Sequence, residues 1–444
     1  MNESVSLNRQ FVRYVSRNMA GMIGVSLYIL ADTFFISKAE GANGVAALNL
    51  VLPIYGVLFA IGSMIGVGSA IRFSLLPEAE TAKRNRYFAN SITFCILLGI
   101  IFMAIGGSMP GPILRLLGGD PDVVRIGIPY TRIFMMFSPF FMMNYVFNAF
   151  TRNDNAPTIA MLATLLSSLC NIFMDYLLMF PLGMGMAGAA LATAISPVIG
   201  ISICCIHVLS KNSTVRIRLC VPDLKMLISG CQLGIAAFIG EMSNAITTLV
   251  FNFLLLGVAG TIAVAAYGVI ANIALVATAC FNGIAQGTQP LVSNYCSKGD
   301  RKSVNKVMKM ALILSLVLAA VIYAVMYGFA DQVTAVFNSE GNAQLPVYAV
   351  PGIRLYFIGF VFAGINIAGT GILSAAASAK WASIASVMRG IVAIVGCALL
   401  LSAVFGIVGI WLAFPAAEML TFFVTVLGLS ELYRGKGNRK LVDQ

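Results

Sequence analysis

VAALNLVLPIYGVLF at 45–59 is followed, 219 residues later, by VAAYGVIANIALVAT at 264–278. The pairing extends in both directions. Pro129-Tyr-Thr-Arg132 aligns with Pro351-Gly-Ile-Arg354 at an offset of 222, and GMAGAALA at 185–192 aligns with GIVGIWLA at 406–413 at 221. A nearly constant offset across most of each half predicts two homologous lobes. Both copies lie in strongly apolar sequence, so the repeat is a repeat of membrane spans.

Composition agrees. Of 444 residues, 59% are hydrophobic and 10% charged, with a mean hydropathy of +0.92; a soluble chain carries about 25% charged residues. Twelve runs reach the roughly 20 apolar residues that a span needs. They cover 14–37, 44–76, 87–109, 125–150, 157–180, 186–209, 226–256, 260–294, 304–329, 346–374, 380–404 and 407–431. Backbone polar groups find no water in hydrocarbon, so spans are helices or a closed barrel, and runs this long without strict alternation exclude the barrel. The expected fold is all-α, with twelve transmembrane helices in two six-helix lobes: 1–209, a cytoplasmic linker at 210–225, and 226–444. Six is even, so both lobes share one orientation and are related by a pseudo-two-fold along the membrane normal.

Orientation follows from the basic residues. With the N-terminus inside, 21 of the 28 Lys and Arg fall on inner segments, only Lys38, Arg115 and Arg125 fall outside, and Arg72, Arg132, Arg354 and Arg389 lie within spans. Both termini are therefore expected in the cytoplasm, with Arg132 and Arg354, at matching positions of the two repeats, snorkelling or pairing with outer acids such as Asp120 and Asp122. The net charge of +11 is explained by this topology and calls for no nucleic acid. The first apolar run is too long for a cleaved signal peptide. The nine cysteines show no CxxC spacing and His207 is the single histidine, so no zinc site, disulfide framework or cofactor is expected. HExxH, GxSxG and P-loop motifs are absent, which points away from an enzyme and from direct use of ATP.

What remains is charge at membrane depth, which is a functional-site hypothesis by default. SLYILADTFFISK at 26–38 carries Asp32 about five residues, roughly 7–8 Å, below the outer end of span 1. Asp175 sits at the same depth in span 5, with Asn171 one turn away on the same face. Span 6 starts outside, so Thr193 reaches the same layer. Two carboxylates, an amide and a hydroxyl are hard-cation ligands, and paired carboxylates also hold a proton; the less favoured alternative is that Asn171 and Thr193 are interhelical hydrogen-bonding residues and only the acids matter. Glu241 falls near the midplane of span 7 and is a second-lobe candidate, either for cationic substrate or proton or as a neutral hydrogen-bonded group. Nothing in the sequence converges on Glu418 in span 12, which reads as structural.

Several segments resemble the multidrug and toxic compound extrusion (MATE) family: LADTFFI at 30–36, LNLVLPIYGVLFAIGSMIGVGSA at 48–70, and GIAQGTQPLVSNY at 283–295 with its Gln-x-x-Gln-Pro. Nearly the whole chain fits that family's twelve-span plan. The resemblance implies a V-shaped antiporter that expels amphiphilic or cationic compounds in exchange for H+ or Na+. It also implies a monomer in the plasma membrane, whose partners are small substrates and membrane lipid. The DinF-like or MepA-like branch has an Asp, Asn-x-x-x-Asp and Thr cation site, which maps onto Asp32, Asn171, Asp175 and Thr193. The chain departs from the family pattern in holding no proline at 14–37 and no acid at 346–374. The alternative is a lipid-linked oligosaccharide or peptidoglycan-precursor flippase of the same superfamily, which would want cations rather than acids at mid-depth.

Overall fold

The computed structural model describes residues 6–216, 221–338 and 342–434. Arg218 and Cys220 of the linker, and the tail cations Lys436, Arg439 and Lys440, lie outside the described residues. Among those described, every regular element is helical. In order the α-helices are α1 Leu7–Leu75, α2 Thr81–Ser108, α3 Pro110–Leu116, α4 Pro121–Met136, α5 Ser138–Asn153, α6 Pro157–Met179 and α7 Gly185–Val208. Then come α8 Leu224–Ser297, α9 Arg301–Gly328, α10 Ala330–Phe337, α11 Leu345–Tyr356, α12 Phe360–Ala375, α13 Ala379–Val387 and α14 Ala393–Tyr433.

The longest of these cannot be single spans. At about 1.5 Å per residue, the 74 residues of α8 would reach more than three bilayer cores. Each overlong helix turns at one glycine in the left-handed region, which no β-carbon opposes: Gly41 in α1, Gly260 in α8 and Gly406 in α14. Among the described residues nine stretches are long and apolar enough to cross, or ten when α4 and α5, bent by 48° at Phe137 with Pro139 in the first turn of the second piece, are read as one. Dividing α8 at Gly260 and the Ala379–Tyr433 stretch at Gly406 reaches the twelve expected spans.

These breaks carry the repeat into the backbone. Gly41 (φ 64°) and Gly260 (φ 75°) are 219 residues apart, and Gly185 (φ 53°) and Gly406 (φ 57°) are 221 apart. Asn155 (φ 62°) and Ala377 (φ 59°), the non-glycine positions with positive φ among the described residues, are 222 apart.

The chain packs as two compact units, Met1–Glu241 and Met242–Gln444. The repeat divides the chain by ancestry and the units divide it by contact, so the first part of α8 belongs with the first unit. The reason is glycine. A β-carbon on Gly66 would lie 2.8 Å from the backbone of Tyr145 and Val146, and one on Gly68 would strike the backbone of Gly230 and Gly234 in α8. Small residues at four-residue spacing let helix backbones touch where lipid supplies no hydrophobic drive. Helix α6 has the inverse of a soluble amphipathic pattern: Leu162, Leu166, Leu169, Phe173 and Tyr176 are exposed to the membrane, while Ser167, Ser168, Asn171 and Asp175 are buried.

The end of the first unit where α1 begins is tied down by polar bonds. Tyr14 donates to Asn155 at 3.2 Å, Arg17 donates to Thr158, and Arg152 donates to Asn18 at 3.3 Å. Asp154, in the turn between α5 and α6, is 4% exposed. Its Oδ2 meets His207 Nε2 at 2.8 Å, the Ser213 hydroxyl at 2.8 Å and the Thr214 N–H at 3.0 Å, while Oδ1 accepts from the Thr214 hydroxyl. Burial alone would push this carboxyl up, but the bonds from His207, Thr214 and Ser213 outweigh it and hold its pKa below the ordinary carboxylate value.

Two outcomes are expected in thermal unfolding of the detergent-solubilised protein. Gly66→Leu should cost about 1–3 kcal/mol or more, whereas Gly107→Ala, whose β-carbon meets nothing within 4 Å, should not destabilise. Asp154→Asn should cost about 1.5–3 kcal/mol near neutral pH, the value of hydrogen bonds to a charged group. Because the folded pKa is depressed, that contribution is complete above the unfolded value of about 3.9 and fades as pH falls through the folded value. Wild type and variant should therefore converge below about pH 4.

Candidate functional site

In the first arm of α1, Asp32 lies between two anchors. The end nearer the N-terminus is held by the bonds to Asn155 and Thr158, and the other end by Glu40, which accepts from the Met186 N–H at 3.2 Å as α7 begins. The stretch between them holds no proline, and Gly21 and Gly24 face Thr164 and Leu165 of α6. Asp32 is 8% exposed, Asp175 0%, Asn171 1% and Thr193 5%.

The structure brings Asn171, Asp175 and Thr193 together. With its amide nitrogen facing Asp175, Asn171 donates to Oδ2 at 3.3 Å and its carbonyl accepts from the Thr193 N–H at 3.3 Å. With the amide reversed, it donates to the Thr193 hydroxyl at 3.5 Å. Asp32 faces the group from α1, within electrostatic reach of Asp175. A pair of tyrosine hydroxyls, Tyr55 from α1 and Tyr130 from α4, meets at 2.5 Å beside it. The decisive atoms are Oδ1 of Asp32 and Oδ1 of Asp175: both are buried and neither has a hydrogen-bond partner. A bare carboxylate oxygen in a dry interior is costly, and a bound proton or a hard cation relieves that cost. Three helices therefore present two open acceptor positions next to an amide and a hydroxyl.

Glu241 is not where its place in the sequence put it. It is the last residue of the first compact unit, and its Oε1 accepts from Tyr145 of α5 at 3.2 Å. The glycine interlock draws the start of α8 against α1, so this acid faces the same unit as Asp32 and Asp175, and Tyr28 lies within electrostatic reach of all three.

Glu418 also departs from expectation, because two side chains converge on it. Arg389 Nε donates to Oε1 at 2.6 Å, and Asn366 donates to Oε2 at 2.7 Å and to the Glu418 carbonyl at 2.8 Å. Arg389 sits in a turn of π-helix, Met388–Val392, a local widening that is frequent where a helix must re-aim a side chain. Glu418 is 2% exposed. Reading depth from opposite ends of spans 11 and 12 would have put Arg389 and Glu418 in one layer, and that was the available signal. Arg354 pairs with Asp331 at 3.0 Å, not with Asp120 or Asp122. Asp154 and His207 lie in and beside a turn, where no periodicity marks a pair.

A family model described as MatE matches residues 19–177 and 236–399. Multidrug export protein MepA of Staphylococcus saprophyticus subsp. saprophyticus is 25% identical over 428 residues, covering 96% of this chain and 94% of that protein. The protein of the same name from Staphylococcus aureus (strain MRSA252) is 27% identical over 415 residues, with coverages of 92% and 90%. Among solved structures, an outward-facing multidrug resistance MATE family transporter of the MOP superfamily superposes with a TM-score of 0.90 at 21% identity, covering 97% of each chain.

The Arg389–Glu418 contact generates one prediction. Arg389→Met leaves a buried carboxylate uncompensated and should cost about 3–5 kcal/mol of stability. Arg389→Met combined with Glu418→Gln, which keeps an acceptor for Asn366, should recover most of that loss in thermal unfolding.

Proposed function

The chain belongs to the MatE family, and on that premise we propose that it is a secondary active efflux antiporter. It exports amphiphilic or cationic compounds across the bacterial cytoplasmic membrane in exchange for H+ or Na+, with both termini inside. The relatives named as multidrug export proteins and the fold shared with a multidrug resistance transporter support efflux. One observation carries the coupling: the two partnerless carboxylate oxygens of Asp32 and Asp175 in a buried layer with Asn171 and Thr193.

The chemistry follows from those atoms. With no ion bound, two nearby carboxylates repel and each keeps one oxygen without a partner, so the layer favours an arrangement that admits solvent or a cationic substrate. A proton or Na+ neutralises the pair and favours closure around it. Exchange results when ion and substrate each stabilise a different arrangement of the same side chains. An equal preference for both would shift nothing. Glu241 and Tyr145, in the same unit, add an acidic, aromatic-flanked position suited to an organic cation.

The test is transport by purified protein in liposomes, with a pH gradient and a Na+ gradient imposed separately and efflux of a cationic dye followed. Wild type should move dye against its gradient with one of the two ions. Asp32→Asn should lose coupled efflux while keeping the wild-type unfolding temperature, and Asn171→Ala should weaken coupling less. Wild-type flux by Asp32→Asn would overturn the assignment, and lipid scrambling without any gradient would favour the flippase.

A further inference from the structure

At its inner end α9 presents its cations to the membrane rather than to the protein. Lys302, Lys306 and Lys309 recur at intervals of four and three, which places them on one face of the helix, and all three are exposed. The stripe continues, without changing face, through Ile313, Leu316 and Val317, which are 52, 47 and 55% exposed. The opposite face, with Val304, Val307, Ala311 and Ser315, is buried. A lipid-facing apolar stripe therefore turns into a lysine stripe within one helical turn, at the level where inner-leaflet headgroups begin.

The first unit shows that this is not simply what an inner helix end looks like. At the corresponding start of α2, Lys83 pairs with Glu80 at 3.5 Å, Arg86 pairs with Asp223 at 3.3 Å, and Arg84 lies over the Phe73 ring and donates to its carbonyl at 3.1 Å. Those cations are used by the protein. On α9 the nearest acid is Asp300, which lies beside Lys302 but caps the helix, bonding the Ser303 N–H at 3.1 Å and its hydroxyl at 2.6 Å. Among the described residues, no ion pair engages Lys306 or Lys309.

We propose that this stripe is a binding site for an anionic phospholipid of the inner leaflet. The headgroup phosphate is held by Lys302, Lys306 and Lys309, and the acyl chains lie along Ile313, Leu316 and Val317. A flexible ammonium is a point charge suited to phosphate, and three on one face track the headgroup layer while their stems cover the helix. The occupant is a lipid rather than a soluble anion, because the charged and apolar halves of the stripe are continuous. Each lysine near an anionic surface contributes roughly fivefold in affinity, so the three together contribute on the order of a hundredfold.

The full-length protein in mixed phosphatidylglycerol and phosphatidylcholine vesicles provides the test, with photoactivatable analogues of each lipid and cross-links located by mass spectrometry. Wild type should be labelled at Ile313, Leu316 and Val317 preferentially by the phosphatidylglycerol probe. The Lys302→Gln/Lys306→Gln/Lys309→Gln variant should lose that preference at an unchanged unfolding temperature. The Arg13→Gln/Lys211→Gln/Lys225→Gln variant, which removes the same charge from other inner segments, should keep it. Equal labelling of wild type by the two probes, persistence of the preference in the first variant, or its loss in both variants would overturn the proposal.

Discussion

Hydrocarbon offers a polar group no partner, and the organisation of this protein follows from that. The backbone satisfies itself by staying helical, and it turns at glycines and prolines and at the non-glycine breaks Asn155 and Ala377. Ionised side chains must find their partners within the protein. The two units meet this demand differently. In the second, Glu418 is neutralised by Arg389 and bonded by Asn366. In the first, Asp32 and Asp175 keep one oxygen each unpartnered. A charge met by a fixed opposite charge is structural. One left open to a mobile ion can report that ion's presence, and this difference is what supports the proposal that coupling sits in the first unit.

The repeat shows how the two halves diverged while their backbones did not. Positive-φ positions recur at offsets of 219 to 222, so the bends are inherited, whereas the polar chemistry is not. Asp175 aligns with Cys397 and Glu418 with Pro197 across offsets of 222 and 221. The two copies share their helix breaks and differ in their buried charges.

Much of this was legible before any coordinates. Span number and helical class were readable because apolar length is a strong signal, and the contacts of Asn171 with Asp175 and Thr193 were within reach because helix rise is uniform, so depth converts directly into residue count; the role of these residues and Asp32 in coupling stays a proposal. Glu241 was assigned to the wrong neighbours, because position along the chain names a span but not the helices it packs on. The Gly68, Gly230 and Gly234 interlock that decides the matter is a contact between distant segments. Arg389 and Glu418 were counted singly, as the π-turn that aims one at the other leaves no trace in hydropathy. Asp154 and His207 were invisible because loops carry no period.

The Asp154 clasp bears on the order of assembly. Its carboxylate is buried in the turn after α5, yet its partners are His207, Ser213 and Thr214, and the glycines that seat α8 on α1 come later still. A nascent chain that has emerged only as far as α7 has a buried acid without its hydroxyl partners and a first helix pair without its third backbone. The contacts that complete the first unit are therefore all available only after the start of α8 has been synthesised, beyond the midpoint of the chain.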